Sequence, residues 1–331
     1  MIGHFPVPYP DELLFSTLAR LYRRLGKPCM TTFIEYVYRN PVRKIPVFLP
    51  RQLGCLVNSL PPGLHTIDEL VDNHTLLPVF LPFLPDRTRT KVRNGVVASS
   101  GASVFARVGM ISGPIAFPRF LRYCPACVEA DRETVGEAYW HRLHQVPGVH
   151  VCCEHNVFLE NSNVEIRSNV GDLVTPDDKD AITARRPRRV SSKDPDHCVL
   201  FNLADDVRWI LANKPSSSID QIRASYRHLL AERGLASKSG GTVDVLSLTD
   251  RFKGFYTDKV LRLLECEIPE SVKTNWLVRM TRSLDKAIYA VRHLLFIRFL
   301  GLTAEQFFNG NHLRRPFGDG PWSCLNPAVT S

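Results

Sequence analysis

Cys124-Pro125-Ala126-Cys127 and, further on, Cys152-Cys153-Glu154-His155 are the two runs from which the rest of the chain can be read. They form a Cys-x2-Cys pair and a Cys-x2-His pair. A two-residue gap lets both side chains of a tight knuckle reach one ion, and two knuckles supply the four ligands of a tetrahedral zinc site. Pro125 suits the turn of the first knuckle. The ligand set expected for Zn2+ is therefore Cys124, Cys127, Cys152 and His155. Cys153 would replace Cys152 if the second knuckle were shifted. His141, His144 or His150, which lie between the knuckles, could stand in for His155. Buried free thiols are the competing reading, because cysteine is often buried, but two correctly spaced pairs so close together argue against it. Four protein ligands leave no position for water, so the site reads as structural rather than catalytic. It would staple a module too small to bury much by itself. Cys198, Cys266 and Cys324 form no spaced pair and read as isolated thiols.

Upstream of the first knuckle the pattern is helical. Asp11 reads as the N-cap of a helix carrying Leu14, Leu18, Leu21, Tyr22 and Leu25, stopped by Gly26. Thr31 or Thr32 would cap a second helix, 49–60 reads as a third, and Thr66 begins a fourth. Short helices joined by tight turns suggest a helix-turn-helix-like unit over 1–85, with a plain bundle as the bland alternative. The prolines of Leu77-Pro78-Val79-Phe80-Leu81-Pro82-Phe83-Leu84-Pro85 predict an extended segment. From Asp86 to Arg122 the bases Arg87, Arg89, Lys91, Arg93, Arg107, Arg119 and Arg122 face one acid, Asp86. That segment reads either as a solvated basic loop or as a phosphate-facing surface, and 86–160 as basic segment plus zinc module.

Residues 161–200 read as a polar linker. They carry Arg185, Arg186, Arg188 and Arg189, a stretch able to grip phosphates or to serve as a solvated tether. Helical text resumes over 201–331. Ser218 would cap 219–233, Thr249 would cap 250–265, and Thr303 with Gln306 makes a capping box for Ala304 to Phe308. The longest periodic run goes from Ser271 to Gly301, with Leu277, Met280, Leu284, Ile288, Val291 and Leu295 as its apolar seam. Arg279, Arg282, Lys286 and His293 project roughly opposite that seam. Such a basic row fits a DNA-reading helix, and a solvated face gives the same pattern. The expected fold class is mainly α: a helix-turn-helix-like unit, a zinc-knuckle module and a C-terminal helical, DNA-binding-like domain.

Composition narrows the function. The chain has 331 residues, 44% of them apolar, which suits packed domains and not a disordered chain. No uncharged apolar run is long enough for a membrane span. Met1-Ile2-Gly3-His4-Phe5-Pro6 is not a signal peptide, and nine cysteines without one point to a reducing, cytoplasmic setting. A net charge of +9, from 42 bases and 33 acids, leans toward a polyanionic partner. No phosphate-binding Gly-x-x-x-x-Gly-Lys loop, Gly-x-Ser-x-Gly elbow or His-Glu-x-x-His pair occurs, so the chain reads as a binding protein and not an enzyme.

Several blocks resemble the TniQ/TnsD family of transposon target-selection proteins. They are Phe5-Pro6-Val7-Pro8-Tyr9-Pro10-Asp11-Glu12-Leu13 with Ser16-Thr17-Leu18-Ala19-Arg20, Leu49-Pro50-Arg51-Gln52-Leu53-Gly54, and His74-Thr75-Leu76-Leu77-Pro78. Arg122-Tyr123-Cys124-Pro125-Ala126-Cys127, Gly136-Glu137-Ala138-Tyr139-Trp140, Cys152 and His155 resemble the family's zinc-knuckle signature. Trp276, Arg292-His293-Leu294-Leu295 and Phe317-Gly318-Asp319-Gly320-Pro321-Trp322-Ser323-Cys324-Leu325-Asn326 look like the TnsD branch, which would make 201–331 a TnsD-like domain. Ser331 follows closely, which reads as a shortened form in which Cys324 would be a zinc ligand without its partners. The resemblance implies a bacterial, nucleoid-associated protein that binds target-site double-stranded DNA and recruits the AAA+ ATPase TnsC. Its alternative implication is an adaptor that links a CRISPR effector complex to TnsC. In either case the ATPase and strand-transfer chemistry belongs to the partners.

Overall fold

The computed structural model describes residues 2–39, 45–49, 52–98, 117–166, 173–183, 185–237, 242–271, 274–282 and 287–310. Helix α1 (Leu14–Arg24) begins without a side-chain cap, so Asp11 does not open it. Asp11 sits at φ 54° and turns its carboxylate elsewhere. It accepts from the Leu143 N–H (3.0 Å) and Arg142 Nε (3.1 Å), at the N-terminus of a distant helix where negative charge is favoured. α2 (Met30–Tyr38) starts from Cys29 rather than from a threonine. α3 (Leu53–Ser59) is followed by α4 (Ile67–His74), which begins after Thr66 as expected, with Glu69 completing a capping box.

The proline-rich segment is helical where an extended strand was expected. α5 (Leu77–Phe80) runs into a 3-10 turn, Leu81–Phe83. Pro78 and Pro82 each stand in the first turn of their element, where no backbone N–H is needed. Pro85 then leads into α6 (Asp86–Val97), so the start of the basic segment is a helix and not a loop.

The middle of the chain is a small mixed module. β1 (Phe120–Tyr123) leads into α7 (Pro125–Val135), followed by α8 (Arg142–Gln145) and the two-residue strands β2 (Val151–Cys152) and β3 (Val157–Phe158). β4 (Glu160–Glu165) returns antiparallel to β1, with Tyr123 opposite Glu160, while β2 and β3 pair with Cys152 opposite Val157. The N-terminal arm bridges this module: Leu13 N–H donates to Trp140 O (2.9 Å) and Arg142 N–H to Asp11 O (2.7 Å).

The stretch read as a linker is held against the same module. Trp140 Nε1 donates to Val174 O (2.7 Å), and Asp177 accepts from the Ala138 N–H (2.7 Å) and pairs with Arg132. The arginine run lies beside β3, with Phe158 N–H to Arg188 O and Val190 N–H to Asn156 O both at 2.8 Å. Backbone hydrogen bonds fix this edge, which a tether would lack.

The second half is built mainly of helices among its described residues, with an isolated antiparallel bridge between Ala236 and Val243. α9 (Pro195–Asn213) is capped by Asp194 and α10 (Ile219–Glu232) by a Ser218–Gln221 box. The helix expected after Thr249 is two: α11 (Val245–Phe255), capped by Asp244, and α12 (Asp258–Leu263), capped by Thr257. The long run from Ser271 to Gly301 is likewise broken, into α13 (Trp276–Arg282) and α14 (Ala290–Phe299). Its seam residues Leu277, Met280, Ile288, Val291 and Leu295 are buried as expected, Leu284 lies outside the described residues, and the continuity of the helix fails. α15 (Ala304–Phe308) carries the predicted Thr303–Gln306 box.

The halves share one core. Phe83 stacks on His293 with ring centroids 4.5 Å apart, and Arg89 donates to Ser217 O (2.7 Å). Gly148, at φ +86°, brings the module's backbone against α14. A Cβ there would meet Val291 at 2.7 Å, so both the dihedral and the space demand glycine. Asp206 on α9 ties α14 and α15 together by accepting from Arg298 Nε (2.6 Å) and the Ala304 N–H (2.8 Å). Among the described residues no helix is long and apolar enough to cross a membrane.

Candidate metal centre and nucleic-acid interface

Two elements bring the knuckles together. Cys124 is the N-cap residue of α7: its sulfur accepts from the Cys127 N–H at 3.4 Å, with Pro125 in the first turn. This is a helix N-cap built from a thiol, and its dipole favours a thiolate there. Cys152 ends β2, and the tight turn to β3, closed by Asn156 at φ 55°, carries His155 back toward the sulfurs. Cys127 Sγ lies 3.7 Å from Cys152 Sγ, and His155 Nδ1 lies 3.8, 3.2 and 3.7 Å from the sulfurs of Cys124, Cys127 and Cys152. The four ligand atoms fall within 4.8 Å of one another and could hold a metal ion.

The spacing tests which ion fits. A tetrahedron with metal–sulfur bonds of about 2.3 Å places its sulfurs about 3.8 Å apart. The Cys127–Cys152 distance matches that value and is far from a disulfide's roughly 2 Å. The three cysteines are buried and free of disulfides. Hydrogen bonds from Cys124 and Cys127 hold the Cys152 thiol well below its ordinary range, while the same contacts and burial push Cys127 well above it. Cys124 is drawn down by Cys127, but Cys152 and burial outweigh this and push it up to about 12. A divalent cation would let all three ionise together.

The alternatives of spacing sort themselves here. Cys153 is half-buried and stands outside the four, its thiol pushed up to about 11 by burial. His144 is buried with Nε2 3.9 Å from Cys127 Sγ, beside the cluster rather than in it. His141 is taken by Asp131 (2.9 Å), and burial lowers His150 to about 4.

One charged network was missed in the sequence. Arg20, buried in α1, donates from Nη1 to Glu12 and from Nε to Glu137, both at 2.8 Å, and stacks over Tyr9 at 3.8 Å. Tyr9 OH adds a bond to Glu137 (3.1 Å) and Arg24 a second cation (3.0 Å). The network clasps the N-terminal arm to the loop after α7. Tyr9, Glu12, Arg20 and Glu137 stand in motif blocks at both ends of the first half, so the signal was present, but nothing in a sequence pairs residues so far apart.

The arginine row of the last long run is only partly exposed. Arg279 and Arg282 lie on the open face of α13, and Lys286 lies outside the described residues. His293 has no solvent face. It is fully buried in α14, held by Tyr226 OH at 2.9 Å, because that helix is apolar nearly all round. Of the other run, Arg185 and Arg188 pair with Glu160 (3.4 and 3.0 Å), while Arg186 and Arg189 are exposed with no acid in ion-pair range among the described residues.

Comparison with known proteins follows the same division. The TniQ family model matches residues 4–159, and the model described as Tn7-like transposition protein D matches residues 203–331. Transposon Tn7 transposition protein TnsD of Escherichia coli is 26% identical over 300 residues, which cover 88% of this chain. The chain spans 56% of the length of that relative. The two models fall in order on the module-bearing half and the helical half, so the chain is similar along most of its length to TniQ and to Tn7-like transposition protein D.

Proposed function

We propose that this chain selects the target site for a Tn7-like transposon: it binds target double-stranded DNA and presents its first half to the AAA+ regulator TnsC. The observation that carries the reading is the ordered pair of family matches, TniQ over 4–159 and TnsD over 203–331. The Cys3His cluster suits this role. Zn2+ held by Cys124, Cys127, Cys152 and His155 would have a full shell and would fix the module's shape without taking part in bond-making. Around it, these residues position one another: Cys124 caps α7, and His155 closes the β2–β3 turn. The chain acts by binding and not by catalysis, and ATP hydrolysis and strand transfer fall to its partners. We place its work in the bacterial cytoplasm, at the nucleoid.

In this reading α3 and α4 form part of a helix-turn-helix-like unit, and duplex contacts come from Arg279, Arg282 and the edge that carries Arg186 and Arg189. The TnsD match in the second half favours direct DNA recognition over a link between a CRISPR effector complex and TnsC. The test is fluorescence anisotropy of the zinc-loaded chain with an attachment-site duplex and a shuffled duplex, followed by capture of ATP-bound TnsC. At least tenfold preference for the attachment site is expected, together with TnsC capture that depends on the chain. Absence of DNA binding, with capture of a CRISPR effector instead, would favour the adaptor role.

A further inference from the structure

The seven bases between Asp86 and Arg122 have different fates in the fold. Arg122 is buried and donates to the backbone carbonyls of Val146 and Val149 (2.8 and 2.5 Å), and Arg119 pairs with Glu165. On α6, Arg93 is held by Asp68 (2.8 Å) and Asp72 (3.2 Å) of α4, and Arg89 by Ser217 O and, at 3.7 Å, by Asp86. Arg107 lies outside the described residues. Arg87 and Lys91 remain, exposed and with no hydrogen bond or ion pair among the described residues.

Their placement is regular. Arg87, Thr90, Lys91 and Asn94 are the exposed positions beyond the first residue of the helix and recur at i, i+3, i+4 and i+7, so they form one stripe. The opposite face is pinned by buried Val92 and Val96 and by the Arg93 and Arg89 contacts. The helix therefore cannot roll, and its outward face carries two uncompensated cations, a hydroxyl and an amide. At about 1.5 Å per residue the two cations stand about 6 Å apart along the axis and the whole stripe covers about 10 Å. Each strand of B-DNA carries a phosphate every 3.4 Å or so along the duplex axis, so a stripe of this length spans about three phosphate steps. Arginine, lysine, threonine and asparagine are all donors to phosphate oxygens. Asp86, exposed in the first turn, is the one carboxylate of the helix.

We propose that the exposed face of α6 is a sequence-independent grip on the phosphate backbone of target DNA, formed by Arg87 and Lys91 with Thr90 and Asn94 beside them. The proposal rests on the DNA-binding reading above and adds to it a contact in the TniQ half, apart from the edge at Arg186 and the α13 face. This grip supplies affinity and register while another surface supplies the choice of site.

The test compares the full, zinc-loaded chain with the Arg87→Ala/Lys91→Ala variant on attachment-site and shuffled duplexes over a salt series. Two lost phosphate contacts should flatten the slope of log K against log salt by about 1.8, with the same fold-loss on both duplexes. Zinc content and melting profile should not change, because neither side chain has a partner to lose. Arg87→Lys/Lys91→Arg should restore the wild-type slope, and Arg87→Glu/Lys91→Glu should weaken binding further. A wild-type chain that binds DNA while the alanine variant keeps its affinity and slope would overturn the proposal and leave the DNA-binding reading intact. A loss confined to the attachment-site duplex would also overturn it. A wild-type chain that binds neither duplex at any salt would remove the DNA-binding reading itself.

Discussion

Replacing Arg20 by methionine tests whether the first half is clasped by a buried charge network. Arg20 is 2% exposed and Glu12 fully buried. Methionine keeps much of the stem but removes the guanidinium. Glu12 would then retain the Tyr9 N–H (2.9 Å) and the neighbouring Ser16 and Thr17 hydroxyls, with no cation beside it. Breaking a buried pair by removing one side costs about 3–5 kcal/mol, against about 0–1 kcal/mol for an exposed pair. Burial already raises the Glu12 carboxyl above its ordinary range in spite of Arg20, and loss of the cation would raise it further. A raised acid gives stability that is present below its unfolded value and lost as pH rises through the folded one, so the deficit should grow with pH. Glu137 adds a part that is level across this window: despite burial, hydrogen bonding from Arg20 and its charge hold it low, a stabilisation present above its unfolded value of 4.5 and lost only at lower pH. The variant lacks that contribution only where the wild type has it. Urea unfolding at pH 7 and pH 5, read by tryptophan fluorescence, should show a deficit of about 3–5 kcal/mol that narrows at the lower pH. Arg20→Met/Glu12→Gln should recover part of it, as coupled residues do. A deficit under about 1 kcal/mol at both pH values would show that the clasp is as weak as a surface pair.

Two further outcomes concern imidazoles. Burial lowers His293 to about 3, so below its unfolded value of about 6.5 the unfolded chain takes up a proton that the folded chain refuses. Stability should therefore fall as pH drops through that window, by about 2 kcal/mol at pH 5 from this group alone. In His293→Phe the slope between pH 7 and 5 should be shallower, and an unchanged slope would mean that His293 is protonated in the fold. At the metal cluster, His155→Ala should lose bound zinc while His144→Ala keeps it. Elemental analysis of both variants decides this, and the reverse result would make His144 the fourth ligand.

What the sequence could show depended on the range of the interaction. Cap signals are local, and the boxes at Ser218 and Thr303 stand where the side-chain pattern put them. The two knuckles are each local as well, and one ion's demand for four ligands is what joins them. Asp11 was misjudged for the opposite reason. A carboxylate before a helix looks like a cap for that helix, but it caps one formed by Arg142–Gln145, which only the fold brings near. Periodicity located the buried positions from Leu277 to Leu295 and missed the break between α13 and α14, because two helices on one core share a seam. The same projection placed His293 outside, although α14 is enclosed and has no outside at that position. In 77–85 the prolines were read as helix breakers, when Pro78 and Pro82 stand in first turns and Pro85 is the residue just before a helix.

The most direct measurement is zinc content paired with thermal melting, on the purified chain and on Cys127→Ser. The structure predicts bound zinc, one equivalent less in the variant, and a cooperative transition in the first half that is lost on chelation. A metal-free chain that melts as cooperatively as the zinc-treated one would contradict the reading of Cys124, Cys127, Cys152 and His155 as the site that shapes this module.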